Sequence, residues 1–292
     1  MKYRVTHTTR YNYSESVSRC HNVAHLLPRT TPQQTCLRSE LRITPKPAVV
    51  NEWKDLFGNR QAGFSIQVPH SELVVSVISE VDVAPNGALL NGAFPIAWEK
   101  AVDYLATAAT SESLDARQYT LESDFVEFSP QVRAYGSEIF TPGRALLEAV
   151  EDLMHRIYRD YDYVPGFSTL ATPLQTVIEH RKGVCQDFAH LAIACIRMQG
   201  LAARYVSGYL ETIPPPGKTR LVGADASHAW FSVFIPYQGW IDFDPTNASI
   251  PLEQHITTAW GRDYADVAPL KGVVFGGGNK HKLDVSVDVE RI

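Results

Sequence analysis

The amino-acid sequence predicts an α+β protein in which a β-rich N-terminal domain precedes a domain of helices and antiparallel strands. Three observations support this. Apolar and polar residues alternate in much of residues 1–90, apolar residues recur at helical spacing between 95 and 200, and three short apolar runs follow. Segregation of strands and helices along a chain is typical of the α+β class. We therefore predict an N-terminal β-domain over 1–90 and a second domain over 91–292.

Strict alternation identifies the first strands. In "YRVTHTTRYNY" every second residue from Tyr3 to Tyr13 falls on one face, and "LVVSVISEVDV" alternates from Leu73 to Val83. Such a period is expected of strands with one buried face. The Gly- and Asn-rich stretch "VAPNGALLNG" suits a domain boundary.

Helical spacing replaces the alternation after residue 95. The segment "IAWEKAVDYLATAA" belongs to a helical lead-in that we place over 91–140. In "TPGRALLEAVEDLMHRIYRDY", Thr141 is a candidate N-cap and Pro142 suits the first helical position. The run "VCQDFAHLAIACIRMQG" is apolar nearly all round, which predicts a buried helix that stops at Gly200.

Three strands should follow this buried helix. The segments "ARYVSGYL", "HAWFSVFI" and "GWIDFDP" are short, apolar and rich in aromatic and β-branched residues. The tail "HKLDVSVDVERI" alternates again and predicts a C-terminal strand of the second domain.

Composition narrows the classes of function. The chain has 292 residues, of which 45% are hydrophobic and 20% charged, with a formal net charge of −5. Its basic residues are scattered, which disfavours nucleic acid and anionic membranes as partners. No apolar run approaches the roughly 20 residues of a membrane span, and the N-terminus has no apolar signal region. We expect a cytoplasmic protein; the sequence carries no signal for its oligomeric state.

The stretch "RKGVCQDFAH" places Cys185 at the start of the predicted buried helix. Free backbone N–H groups and the positive end of the helix dipole meet there, a setting that favours the nucleophilic thiolate. A cysteine nucleophile also needs a base, and the base needs an orienting partner. His228 in "DASHAWFSVF" and Asp244 in "GWIDFDPTN" are the candidates for these two functions.

The spacing of the two candidates suggests a hairpin. Asp244 follows His228 by 16 positions, so directly opposed partners would centre the turn on Pro236. Opposed side chains lie about 5 Å apart at Cβ, close enough for a carboxylate to hold an imidazole. The same register places Trp230 opposite Asp242, a competing carboxylate on the same face of its strand.

These motifs resemble the transglutaminase-like superfamily. The similarity rests on "YDYVPG", "GVCQDFAHL", "RYVSGYL" and "DASHAWFSVFIPYQGWIDFDPTN", in the family's order, and covers about residues 140–260. It is closest to the bacterial members, which are often described as cysteine proteases, and "YRVTHTTRYNY", "LLPR" and "DLFGN" resemble the β-domain that precedes their core. The resemblance implies a papain-like core of N-terminal helices packed on an antiparallel sheet. It also implies a catalytic triad of Cys185 as nucleophile, His228 as base and Asp244 as orienting residue.

The expected function is a cysteine-dependent acyl transfer. We expect hydrolysis of amide or peptide bonds first and transamidation of protein glutamine second, since both use the same triad. The backbone N–H of Cys185 is the expected oxyanion donor. The partner would be a peptide or protein amide substrate. An alternative of a different class is a non-catalytic peptide-binding module on the same fold.

A metal site is the other alternative. His180, Cys185 and His190 are spaced by five residues, with Asp187 nearby. No CxxC or HExxH spacing accompanies them, and the triad chemistry needs no metal or cofactor. We therefore expect neither, and interpret His190 as a structural residue.

Overall fold

The computed structural model describes residues 1–85, 95–212 and 227–292, and it combines helices with antiparallel sheets as the sequence predicts. The strands are β1 (Lys2–Ala24), β2 (Gln34–Thr44), β3 (Val49–Lys54), β4 (Arg60–Ile66), β5 (His70–Val83), β6 (Asp162–Tyr163), β7 (Lys182–Gly183), β8 (Ala203–Leu210), β9 (Ser227–Ile235), β10 (Gly239–Phe243), β11 (His255–Gly261), β12 (Leu270–Gly276) and β13 (His281–Arg291). The helices are α1 (Trp98–Thr107), α2 (Ser111–Arg117), α3 (Pro130–Ser137), α4 (Leu146–Asp160), α5 (Leu174–His180), α6 (Cys185–Arg197) and α7 (Tyr264–Val267), with a 3₁₀ turn over Gln118–Thr120.

The long strand β1 organises the N-terminal sheet. Its first half pairs with β5 on one side and β13 on the other, and its second half pairs with β4 and β12. The strands β2 and β3 add to β5 and β4. The alternation predicted the buried face correctly, since Tyr3, Val5 and His7 are buried.

The pairing of the C-terminal strand corrects one prediction. We expected "HKLDVSVDVERI" to be a strand of the second domain, but β13 runs antiparallel to β1, with Tyr3 opposite Arg291. Alternation shows which face of a strand is buried but says nothing about its neighbour. The tail therefore groups with residues 1–83, and we call these two segments together the β-region. The expected boundary at residue 90 falls within 86–94, outside the described residues.

The second sheet packs against helix α6 to form the hydrophobic core of the second domain. Its order is β10-β9-β8-β11, and α6 lies across one face. Alternate residues of β9, among them Phe231 and Val233, pack with α6 in one apolar cluster, whereas Phe234 packs with a cluster on the other face. Both faces of this sheet are thus covered, which is why β9 is apolar along most of its length.

The helix α6 has the boundaries that the sequence predicts, and α4 does not. Gly200 adopts a left-handed conformation three residues after α6 ends. By contrast, α4 starts at Leu146 rather than near Pro142, because Gly143 has φ of 77° and turns the chain first. The lead-in is helical, as expected, through α1, α2 and α3. Within the described ranges, no helix is long and apolar enough to cross a membrane.

Candidate active site

Cys185 is the first residue of α6 and is half-buried. Its backbone N–H therefore has no acceptor within the helix. The entry to α6 is tight, since a Cβ on Gly183 would lie 2.9 Å from Asp187. The carboxylate of Asp187 in turn accepts a hydrogen bond from the backbone N–H of Val184 at 2.8 Å. These contacts hold the first turn of the helix, and with it the thiol.

His228 stands near the start of β9, between the thiol and a carboxylate. Its Nε2 lies 2.8 Å from Oδ2 of Asp244, so Nδ1 is the ring nitrogen left for Cys185. Burial disfavours the charged ring and would lower its pKa, but hydrogen bonds and charge from Asp244 and Cys185 outweigh burial and raise the pKa of His228 to about 10. The site therefore favours an imidazolium at this position.

Asp244 is fully buried and accepts hydrogen bonds through both oxygens. Its Oδ1 accepts from the backbone N–H groups of Thr246 and Asn247, at 3.0 and 3.3 Å. Its Oδ2 accepts from His228, from Nδ2 of Asn247 at 2.7 Å and from His255 at 2.9 Å. Burial would raise the pKa of this carboxyl, but the hydrogen bonds and charges of the two histidines lower it well below its usual range. The carboxylate is thus ionised and acts only as an acceptor.

The contact between His228 and Asp244 is present as expected, but the predicted hairpin register is wrong by two residues. Asp242 pairs with Ser232 rather than with Trp230, because the turn centres on Tyr237, which has φ of 68°. A shift of two keeps every side chain on its predicted face. Asp244 then reaches His228 diagonally, a separation that side chains can span.

The competing carboxylate has a different partner. Oδ2 of Asp242 accepts the indole N–H of Trp230 at 3.0 Å. The backbone of Asp244 has left the β9–β10 ladder and exchanges hydrogen bonds with Ser249. Of the two carboxylates, Asp244 is therefore the one that contacts His228.

His255 is the residue that the sequence did not single out. It comes from β11, at the far edge of the sheet from β10, yet its Nε2 contacts the same oxygen of Asp244 that holds His228. A single histidine in the strand "HITTAWG" carries no motif, and no spacing rule relates it to Asp244. Only the return of the chain through residues 245–254 brings the two together.

The predicted alternative metal ligands do not converge. His190 is buried and its Nε2 accepts the backbone N–H of Tyr264, which agrees with a structural role, and the ring of His180 bonds to the carbonyl of Thr176. Among the residues that the structure describes, the group with metal-ligand character is instead His228, Asp244 and His255, whose ligand atoms lie within 4.8 Å of one another.

This group of three is held by hydrogen bonds. The two nitrogen–oxygen separations to Asp244 are 2.8 and 2.9 Å. Two ligands of a tetrahedral metal at 2.0 Å lie about 3.3 Å apart. The observed separations lie in the range of ordinary N–H···O hydrogen bonds.

Comparison with known proteins identifies the family of this chain. Residues 3–82 match the model of the bacterial transglutaminase-like N-terminal region, and residues 133–245 match that of the transglutaminase-like superfamily. An uncharacterized protein of Mycobacterium tuberculosis is 43% identical over 294 residues, which cover 99% of this chain and 92% of the relative. The chain belongs to the transglutaminase-like superfamily.

The fold of this transglutaminase-like chain has a solved counterpart. A crystal structure from Cytophaga hutchinsonii, described as a "putative cysteine protease", superposes with a TM-score of 0.76 at 22% identity, covering 99% of this chain and 90% of the other. A protein-glutamine gamma-glutamyltransferase of Pseudomonas aeruginosa is 28% identical over 161 residues, which cover 51% of this chain and 24% of that protein. The papain-like α+β core expected from the sequence is confirmed.

Proposed function

We propose that this chain is a cysteine-dependent acyl-transfer enzyme that hydrolyses amide or peptide bonds of a peptide or protein substrate. Cys185 is the nucleophile, His228 the base and acid, and Asp244 the residue that orients His228. The observation that carries this proposal is the bond of 2.8 Å between His228 and the buried carboxylate, together with the influence of the Cys185 thiol on the pKa of the same imidazole.

The chemistry follows from these positions. His228 takes the proton of the Cys185 thiol, and the thiolate attacks the carbonyl carbon of the amide. The backbone N–H of Cys185 donates to the oxyanion that forms. His228 then gives its proton to the leaving amine, which departs and leaves a thioester on Cys185. A water molecule attacks the thioester, His228 accepts its proton, and the acid leaves as the thiol is restored.

Transamidation is the second candidate. The relative from Pseudomonas aeruginosa is named a protein-glutamine gamma-glutamyltransferase, a name for transfer of the γ-glutamyl group of protein glutamine. In that reaction an amine replaces water in the last step, and every residue named above keeps its function. Labelled casein separates the two outcomes, since hydrolysis releases soluble fragments and transamidation incorporates a fluorescent amine.

Limiting alkylation tests the nucleophile directly. The four cysteines are free thiols, and Cys20 and Cys195 are buried. Burial raises the pKa of Cys195 to about 12. We expect iodoacetamide to label Cys185 first, as mapped by mass spectrometry of peptides, and Cys185→Ala to abolish casein turnover. First labelling at Cys20, Cys36 or Cys195 in the folded protein would show that the nucleophile is misassigned.

A further inference from the structure

The carboxylate of Asp244 holds two histidines on one oxygen. His228 and His255 both place Nε2 against Oδ2, at 2.8 and 2.9 Å. Since an ionised carboxylate only accepts, each ring must carry its proton on Nε2 to donate there. The proposed mechanism uses one of these histidines and leaves the other without a function.

Among the described residues, Asp244 is the hydrogen-bond partner of the His255 ring. The residue is 9% exposed, and within the described part of the chain its Nδ1 has no hydrogen-bond partner. Its ring meets the edge of Trp230 and borders a cavity of about 700 Å³ that Arg204 and Trp260 also line. An apolar aromatic side chain could line the same cavity without burying a nitrogen that has no hydrogen-bond partner. Packing alone therefore does not account for a histidine at this position.

The arrangement also depends on a glycine. Gly208 of β8 lies opposite His228, and a Cβ at this position would lie 2.1 Å from the carbonyl oxygen of Ile256 and 2.6 Å from the indole of Trp230. The missing side chain lets β11 approach β8 and lets Trp230 lie across the sheet. His255, one residue before Ile256, is thereby brought within reach of Asp244.

We propose that His255 is a positioning residue, which donates from Nε2 to Asp244 and so fixes the oxygen that orients His228. The inference rests on the proposed function, because an orienting carboxylate matters only if His228 serves Cys185. Without the second histidine, Oδ2 keeps Asn247 as its one side-chain donor besides His228 among the described residues, and the carboxylate loses one of the contacts that fix the oxygen facing His228. A small displacement of the base lowers reactivity even when the fold is intact.

Two matched variants test this role. In His255→Gln the amide nitrogen occupies the place of Nε2 and can still donate to Asp244. In His255→Asn the amide is too short to reach it, although the residue is as polar. We expect iodoacetamide to alkylate Cys185 of H255Q at a rate within about threefold of the wild-type rate at pH 6–7. In H255N the same alkylation should be slower by about tenfold. The acid limb of the rate profile should shift to higher pH only in H255N, whereas thermal unfolding should be similar in both.

The outcomes separate this inference from the proposed function. If wild-type Cys185 is not the fastest thiol, the proposed function fails. If it is fastest but the H255N profile superimposes on the wild type, or H255Q loses as much as H255N, the positioning role is wrong.

A measurement on the unaltered protein covers the case in which H255N does not fold. Nitrogen-15 NMR of labelled histidine should show His255 with its proton on Nε2. A proton on Nδ1 alone would overturn the proposal.

Discussion

Two cysteine–histidine pairs lie in different regions of this chain, Cys185 with His228 in the core and Cys20 with His70 in the β-region. In the second pair Sγ and Nε2 are 3.8 Å apart, and Nδ1 of His70 donates to the carbonyl of Val68. His228 instead bonds to a buried carboxylate. The two imidazoles therefore differ in the group that holds them, a backbone carbonyl in the β-region and a buried carboxylate in the core.

The two thiols also differ in their surroundings. Cys20 is fully buried near the end of β1, where burial raises its pKa although a hydrogen bond from Asn22 opposes the shift. Cys185 is half-buried and is the first residue of a helix, where backbone N–H groups have no acceptor within the helix. Access, the helix start and the carboxylate together distinguish the candidate active site from a packed thiol.

Removing the charge of the Asp244 carboxylate should have the largest effect on turnover among the substitutions that distinguish the two pairs. In Asp244→Asn the amide can stabilise the wrong tautomer of His228, so we expect turnover of labelled casein to fall by about 10⁴ with the fold intact. Asp242→Asn is the matched control. Its amide oxygen can still accept the indole proton of Trp230, so its loss should stay under about tenfold. Equal losses in the two variants would show that the carboxylates are misassigned.

The pH dependence of alkylation should separate the two pairs next. Because the pKa of His228 is raised to about 10, its ring stays charged from pH 6 to 9 and loses the charge only as pH passes 10. Cys185 should therefore react with iodoacetate about 100-fold faster than Cys20 at pH 6–9.

The preference of Cys185 for anionic iodoacetate over neutral iodoacetamide reports that charge directly. We expect this preference to fall as pH rises through 10 and to be absent in His228→Ala. A preference that is constant across this range, or that survives in H228A, would contradict the assignment of the charge to His228.

Glycine substitutions in the two regions should differ in their effect on stability. A Cβ on Gly208 would meet the backbone oxygen of Ile256, which cannot move without parting β8 from β11. We expect Gly208→Ala to lower the free energy of unfolding by about 1–3 kcal/mol and to reduce turnover. In the β-region a Cβ on Gly63 would lie 2.6 Å from the indole of Trp53, which is 44% exposed and can turn away, and 3.9 Å from the backbone oxygen of Asn22, an ordinary contact.

Gly63→Ala is therefore the matched control for this comparison. Denaturant unfolding should show the smaller change in G63A, with turnover at the wild-type level. The reverse order of stability would show that the strand contact at Gly208 is less rigid than the structure indicates.

The smallest effect is expected at Cys20. Replacing it by alanine removes one buried sulfur, its weak contact with His70 and the hydrogen bond that it accepts from Asn22, so we expect a loss of about 1 kcal/mol in unfolding free energy. Casein turnover should remain within about twofold of the wild-type rate, whereas Cys185→Ala should abolish it. Comparable losses in C20A and C185A would remove the distinction between the two pairs.

The strand and helix periods were determined by sequence alone. The alternation in β1 and β5 gave the buried face of each strand, and the apolar run after Cys185 gave a buried helix with the thiol at its start. The 16-residue spacing gave the common face of His228 and Asp244, because strand parity survives a shift of two residues. Each of these is a local property of a few neighbouring side chains.

Tertiary structure alone decided the partners. The loop at Tyr237 determines the register of the β9–β10 hairpin. The C-terminal strand β13 pairs with β1, and the return of the chain after β10 places His255 beside Asp244. The first case depends on the geometry of a short loop, whereas in the other two cases segments that do not follow each other in the sequence meet because of packing. A period in the sequence reports which face of an element is buried, but the identity of the neighbour depends on which other surface is free to cover it.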